Sequence, residues 1–150
     1  MKVALAVAVC VALGAMAAGT AGVQDVSTVK SADVKWMEAK GHPKGVMSAL
    51  VHGDPTKGAY VMLLKAPAGT KWAPHLHSAD EIIGIQSGEF MIGAGEKVDE
   101  SKGTVIDAGG YFTVKGKTPH WSVAKKDTVF FRYSSGAGDI TFCNPADAPK

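Results

Sequence analysis

Apolar residues along this chain come in short runs that alternate with polar ones, and clusters rich in Gly, Pro, Asp and Ser break the runs. GVMSALVHG (45–53) is an apolar strand closed by the turn residues of GDPTKG. A second strand, AYVMLLKAP, covers 59–67, and AGTKWAP turns the chain. HLHSADEIIGIQSG reads as a short strand, a bend and another strand. EFMIGAGEKVDESKG is a strand followed by a loop. TVIDAGGYFTVKGKTPHWSVAKKDTVFFRYSS supplies three or four more strands, and GDITFCNPAD the last strand and the tail. Upstream, VKSADVKWMEAKG (29–41) is an arm with one helical turn. Eight or more short strands joined by Gly/Pro turns predict an all-β sandwich or small barrel. No alternation of strand and long helix supports an α/β fold, and no Gly-rich phosphate loop is present.

The first residues follow a different rule. MKVALAVAVCVALGAMAAGTAG sets Lys2 before an apolar run from Val3 to Leu13, then small residues. This predicts a secretory signal peptide over 1–21, cleaved after Ala17 or Ala21, with an uncleaved membrane anchor as the alternative. Residues 22–44 are then an N-terminal arm and 45–150 a single domain, located in the periplasm or secreted, with no stable membrane insertion of the mature chain.

Composition narrows the partners. With 46% hydrophobic and 20% charged residues over 150 positions, the chain suits one domain with a real core. The net charge of +2 is spread over scattered lysines with acids between them. No basic stripe or recognition module is visible, which excludes nucleic acid as a partner. Cys10 leaves with the leader and Cys143 has no partner, so the mature chain forms no internal disulfide. Cys143 ends an apolar run and is expected to be a buried, inert thiol.

The chemistry concentrates in GTKWAPHLHSADEIIGIQSG (69–88). Residues i and i+2 of a strand share a face, so His75 and His77 point the same way and Leu76 the other. Ser78, Ala79 and Asp80 turn the chain, and Glu81 converges on the imidazoles if the two strands pair across that turn. A third histidine, His120, follows a Pro-containing turn at the start of another apolar strand. Two or three imidazoles and a carboxylate suit Fe, Mn, Zn or Ni as the divalent ion. His42 and His52 lie in or beside turns and read as surface residues.

These residues resemble the first motif of the cupins. In that pattern a glycine and five further residues precede H-x-H, a glutamate follows after three more, and a glycine closes after another six. Gly69, His75, His77, Glu81 and Gly88 occupy all five places. The second cupin motif is matched in part. Gly109 and His120 are correctly spaced, but Lys115 and Lys117 stand at the proline and inner-glycine places, and Ala124 at a place often held by asparagine. Residues 29–149 are similar to a subgroup of small, often exported bacterial cupins, with Trp36 matching a tryptophan of their N-terminal segment. The chain departs from that subgroup at Phe131 and Tyr133, where it tends to carry polar residues, and at Ala137 and Gly138, where it tends to carry Pro-Trp.

The resemblance implies a cupin-type jelly roll with one divalent transition metal held by His75, His77, Glu81 and His120, leaving positions for a small-molecule ligand or substrate. Such a set reduces the ion to about one net positive charge. Similar folds carry out dioxygenase or isomerase/lyase chemistry on small organic molecules. A non-catalytic metal- or ligand-binding module and a structural dimer with a relic site are the alternatives. Trp72, Phe131 and Tyr133 are expected at the pocket, with Tyr133 as a donor to a developing oxyanion. Arg132, the chain's only arginine, points outward in that register and enters the pocket if the register slips by one. The apolar outer positions Leu76 and Trp121 suggest a homodimer.

Overall fold

The computed structural model describes residues 26–149; the leader expected over 1–21 lies outside the described residues. Eleven strands follow in chain order. They are β1 (Met37–Glu38), β2 (Met47–Gly53), β3 (Tyr60–Ala66), β4 (Lys71–Leu76), β5 (Glu81–Ser87), β6 (Glu89–Ala94), β7 (Thr104–Asp107), β8 (Tyr111–Val114), β9 (His120–Ala124), β10 (Thr128–Ser134) and β11 (Thr141–Phe142). Helical structure among the described residues is confined to three single 3-10 turns. No helix there is long and apolar enough to cross a membrane.

The strands form two antiparallel sheets facing each other as a jelly roll. One has the order β1-β2-β3-β10-β5-β8 and the other β11-β4-β9-β6-β7. The all-β expectation is met, and the N-terminal segment adds β1 to the edge of the larger sheet.

The space between the sheets has an apolar end and a polar end. Leu64, Ile83, Ile85 and Phe130 from one sheet meet Trp72, Phe90 and Ala124 from the other. Trp72 packs against Phe90 and Phe130 with ring centroids 5.5 and 6.1 Å apart. Further along the same strands the inward positions change to His75, His77, Glu81, His120, Arg132 and Ser134, all buried. Alternation on β10 sets this pattern: Thr128, Phe130, Arg132 and Ser134 are buried, while the residues between them are only half-buried.

The outer face of the smaller sheet carries Trp121, Met91 and Val123 as a second cluster. The loop after β6 folds over it. A Cβ at Gly103 would lie 2.7 Å from Met91 and 2.9 Å from Trp121, so any larger residue here would have to displace those side chains. Trp121 is 1% exposed and offers no surface for a second copy of the chain. Cys143 differs from expectation: it follows the two-residue β11 at the sheet edge and is exposed rather than buried.

The partial second motif has a conformational consequence. Lys117, at the inner-glycine place, has φ +64°, the only non-glycine positive φ among the described residues. A left-handed backbone costs an ordinary residue about 1–2 kcal/mol. The turn holds because Lys117 N–H donates to the His77 carbonyl at 2.6 Å and Gly116 N–H to Asp80 Oδ1 at 2.8 Å. Lys117→Gly relieves the strain but adds unfolded-state entropy, so it is expected to leave stability unchanged or raise it by up to about 1 kcal/mol. Lys117→Val, β-branched in the same conformation, is expected to lose about 1–2 kcal/mol. Urea unfolding of the two variants checks this, and equal losses in both would exclude strain at the turn.

Candidate metal centre

His75 and His120 face each other across the β4–β9 ladder. The ladder slips between Trp72 and His75, a local irregularity that re-aims the end of β4. His77 lies just past that end. Asp80 then carries the chain out of the smaller sheet, and Glu81 opens β5 in the larger one. The two segments do not pair across the turn, the condition that the sequence set for convergence: they belong to opposite sheets, and the turn bridges them. Convergence survives because both segments face the same interior. Asp80 does not enter the site. Its carboxylate accepts from Gly116 N–H and Lys115 Nζ and pins the 115–117 turn.

The three imidazoles form a compact cluster. Ring centroids lie 4.3 Å apart for His75–His120, 5.0 Å for His75–His77 and 5.6 Å for His77–His120. Their ligand atoms all fall within 4.8 Å of one another. Each ring is oriented by a backbone carbonyl. His75 Nδ1 lies 2.7 Å from Ala73 O, His120 Nδ1 lies 3.0 Å from Thr118 O, and His77 Nδ1 contacts Asp139 O closely. A carbonyl only accepts, so each Nδ1 carries the hydrogen and each Nε2 keeps its lone pair. That tautomer is the one coordination through Nε2 requires, and carbonyl partners of this kind fix ring orientation. With Nδ1–H committed to Asp139, the 3.4 Å approach of Arg132 Nη2 to the same atom is a contact rather than a hydrogen bond.

Burial keeps the cluster neutral. It lowers the His75 pKa to about 4, with the neighbouring His120 adding to the effect. It lowers His77 to about 3, helped by the Arg132 charge, and moves His120 in the same direction. Three neutral imidazoles with free Nε2 atoms make a site that fits a divalent transition ion.

Glu81 is 2% exposed. Its Oε2 lies 3.4 Å from His77 Nε2 and 3.8 Å from His120 Nε2. Its Oε1 forms a close ion pair with Arg132 Nε, and neither atom has another hydrogen-bond partner among the described residues. Burial pushes the Glu81 carboxyl upward in pKa, and the Arg132 guanidinium pulls it back down. Arg132 also lies over the Tyr60 ring at 5.7 Å.

The pocket residues expected from sequence separate into two groups. Trp72 lines the cavity beside the histidines. Phe131 and Tyr133 do not, and that expectation is corrected: β10 sits in the other of its two registers, with Phe130 and Arg132 inward. The cause is visible at Gly84, opposite Phe131 on β5, where a Cβ would meet the Phe131 ring at 2.2 Å. The missing side chain makes room for that ring on the outer face, and Tyr133 follows it there by alternation. Tyr133 is thus not positioned to stabilise an oxyanion at the metal. His42, read as a surface residue, is a cavity-lining one. Its GHP turn carries no local signal for this. The only hint is Trp72, whose indole N–H needs an acceptor if the ring is buried.

The cavity itself measures about 40 Å³, and its walls include Leu64, Phe90, Phe112 and Phe130. That is room for about three waters. A second hollow of about 310 Å³ adjoins it and shares His42, His77, Arg132 and Ile140 with it.

Residues 24–137 match the family model described as the ChrR cupin-like domain. The chain belongs to this cupin family. No curated protein matches it. Solved structures confirm the fold. The acetylacetone dioxygenase from Acinetobacter johnsonii superposes with a TM-score of 0.63 at 16% identity, over 83% of this chain and 80% of that one. KdgF from Halomonas sp. gives 0.61 at 20% identity, over 77% of this chain and 97% of that one. The polyketide cyclase RemF from Streptomyces resistomycificus gives 0.62 at 14% identity, over 79% and 85%. At these identities the likeness concerns the cupin fold alone.

Two outcomes follow from the buried charges. In metal-free protein, His75 and His77 stay neutral in the folded state while the unfolded chain protonates near pH 6.5. Their folded pKa values are depressed, so the associated stability is complete above pH 6.5 and is lost as pH falls toward about 4 for His75 and about 3 for His77. Urea unfolding of chelator-treated protein from pH 7 to 4.5 is expected to show this decline, with a shallower slope in His77→Gln; identical slopes would rule out a neutral buried His77. Arg132→Met strands Glu81 and is expected to cost about 3–5 kcal/mol in the metal-free protein. Adding Zn(II) is expected to recover more stability in this variant than in the parent, because Glu81 gains a cationic partner. Equal gains from zinc would show that Glu81 does not feel the ion.

Proposed function

We propose that this cupin is an enzyme that uses one divalent transition metal to transform a small organic molecule bearing oxygen donors, with dioxygenase-type chemistry as the first candidate. The observation that carries the reading is the convergence of three Nε2 lone pairs, each fixed by an Nδ1–H bond to the backbone. His75, His77 and His120 hold the ion, and Glu81 stands beside it as a fourth group. The ion, when bound, supplies Lewis acidity toward a coordinated oxygen and access to redox chemistry.

The remaining residues define what can approach. Arg132 neutralises Glu81, so a divalent ion on three neutral imidazoles keeps two net positive charges rather than the single one expected from sequence. Such a site favours an anionic chelate, such as the enolate of a β-dicarbonyl or a catecholate, over a neutral alcohol. The aromatic and aliphatic walls of the inner cavity lower the local dielectric, which strengthens that preference. Acetylacetone dioxygenase activity, named for the Acinetobacter johnsonii protein, belongs to this chemical class. An isomerase or lyase acting on a similar chelate is the second form of the proposal. Export to the periplasm is part of it, motivated by the apolar leader.

The test has two stages. Elemental analysis of purified protein is expected to find one equivalent of Fe, Mn, Zn or Ni, and much less in His75→Ala/His77→Ala. Oxygen uptake by the Fe(II)-loaded protein with β-dicarbonyls and catechols is then expected for a dioxygenase. Product without oxygen consumption selects the isomerase or lyase form. Metal uptake with no turnover across the panel would replace the enzyme with a binding module, and equal metal in parent and double variant would eliminate the centre.

A further inference from the structure

The geometry points to His42 as a residue that contacts the organic ligand directly: its Nε2–H donates a hydrogen bond to a ligand oxygen where the outer hollow opens onto the metal cavity. This inference rests on the proposed function, and it adds a donor supplied by the N-terminal arm.

The arm is built to hold this ring in place. Ala39 N–H donates to Val46 O at 3.0 Å, His42 N–H to Ala39 O at 3.1 Å and Val46 N–H to Pro43 O at 3.2 Å. Gly41, at φ +76°, makes the bend immediately before His42. Ala39 and Val46 are both buried in the main core and anchor the base of the turn. The tip therefore leans on the barrel, and His42 meets Trp72 edge-on at 84°.

One hydrogen bond decides the tautomer. Trp72 Nε1 lies 3.1 Å from His42 Nδ1. An indole nitrogen only donates, so Nδ1 must accept, and the hydrogen of the neutral ring sits on Nε2. This is the reverse of the three metal-site histidines. They present lone pairs, whereas His42 presents a donor. Nε2 has no hydrogen-bond partner among the described residues, and it is not among their sealed polar atoms. Burial, with a smaller contribution from Arg132, holds the ring neutral by lowering its pKa to about 4.

Position supplies the rest. His42 lines both the inner cavity of about 40 Å³ and the outer hollow of about 310 Å³. The inner space is too small for an organic molecule, and the outer one is within the range of ligand pockets. A chelating molecule must therefore sit outside and reach the ion past His42, His77, Arg132 and Ile140. An oxygen crossing that neck meets the uncommitted neutral N–H of His42 beside the Arg132 guanidinium, whose Nε is held by Glu81.

Acetylacetone binding to Co(II)-loaded protein, read from the cobalt absorption bands, tests the assignment. His42→Asn keeps an acceptor at the Nδ1 place for Trp72 and loses the donor at the Nε2 place. His42→Gln puts an amide N–H back at the Nε2 place. All three proteins are expected to take up equal cobalt, with the same spectrum and similar melting temperatures. Acetylacetone should bind about tenfold more weakly to His42→Asn and within about threefold of the parent to His42→Gln. Unchanged binding in His42→Asn overturns the inference, as does equal weakening in both variants or loss of cobalt from His42→Asn. Failure of the reading beneath it looks different. A parent that takes up no cobalt overturns the metal centre, and a parent whose cobalt spectrum ignores acetylacetone and catechol overturns the chelate reading; either removes this inference with it.

Discussion

A carboxylate enclosed between two β-sheets must be paired or neutralised, and Arg132 pairs the one at Glu81. The rest of the site depends on that contact. It lets a charged group remain at the start of β5, opposite three imidazoles, without closing the hollow around it. It also fixes which face of β10 is interior. Once Arg132 points inward, Phe130 must too, and the apolar end of the sandwich follows from Phe130 packing on Trp72 and Phe90. A buried pair of this kind contributes little net stability against a well-packed apolar substitute. Its value here is positional: it sets register and local charge.

The same economy of partners governs the histidines. Four imidazoles line the cavity, and a hydrogen bond at Nδ1 sets the tautomer of each. Backbone carbonyls from Ala73, Thr118 and Asp139 make three of them lone-pair donors toward a metal. The Trp72 indole makes the fourth a proton-bearing group. One residue type thus supplies two chemical functions, distinguished only by whether the neighbouring atom accepts or donates. Asp139 shows how far the supporting contacts reach along the chain: its carbonyl holds His77, and its carboxylate takes the Ser78 N–H.

How much of this was legible in the sequence depended on whether the signal was local. The strand count, the turns and the H-x-H pair are local, and they survive. So does the Gly88 of the first motif, where φ is +84° and a Cβ would lie 2.3 Å from the Asp127 carbonyl. The lysine at the inner-glycine place of the second motif was legible as a departure, but not its consequence. Lys117 adopts the conformation that glycine would have taken, and the rim keeps its shape at the cost of strain. The register of β10 was not legible. FFRY alternates equally well in either phase, and the phase was decided by Gly84 on a neighbouring strand and by the charge of Glu81. His42 was hidden for the same reason. Its turn looks like any surface turn, and only tertiary packing of the arm against Trp72 brings it to the cavity.

These non-local features all act on the one quantity that composition and spacing left undetermined, the charge presented to a ligand. Counting ligands alone makes Glu81 offset part of the ion's charge. Counting its partner restores that charge, and the neutral, donor-bearing His42 adds a hydrogen bond without adding more. On the proposed reading, a site with excess positive charge, apolar walls and the His42 N–H discriminates among ligands by oxygen basicity and by the ability to ionise on binding. It does so more sharply than by size, because the narrow inner cavity admits only the coordinating end of the molecule. The body of such a molecule would sit in the outer hollow, whose walls come mainly from the arm, from β3 and from the segment before β11. Those segments include Ala137 and Gly138, where the chain departs from its similar cupins. The metal-binding end of the site is held by the jelly-roll strands, whereas the outer hollow combines those strands with the arm and the segment before β11.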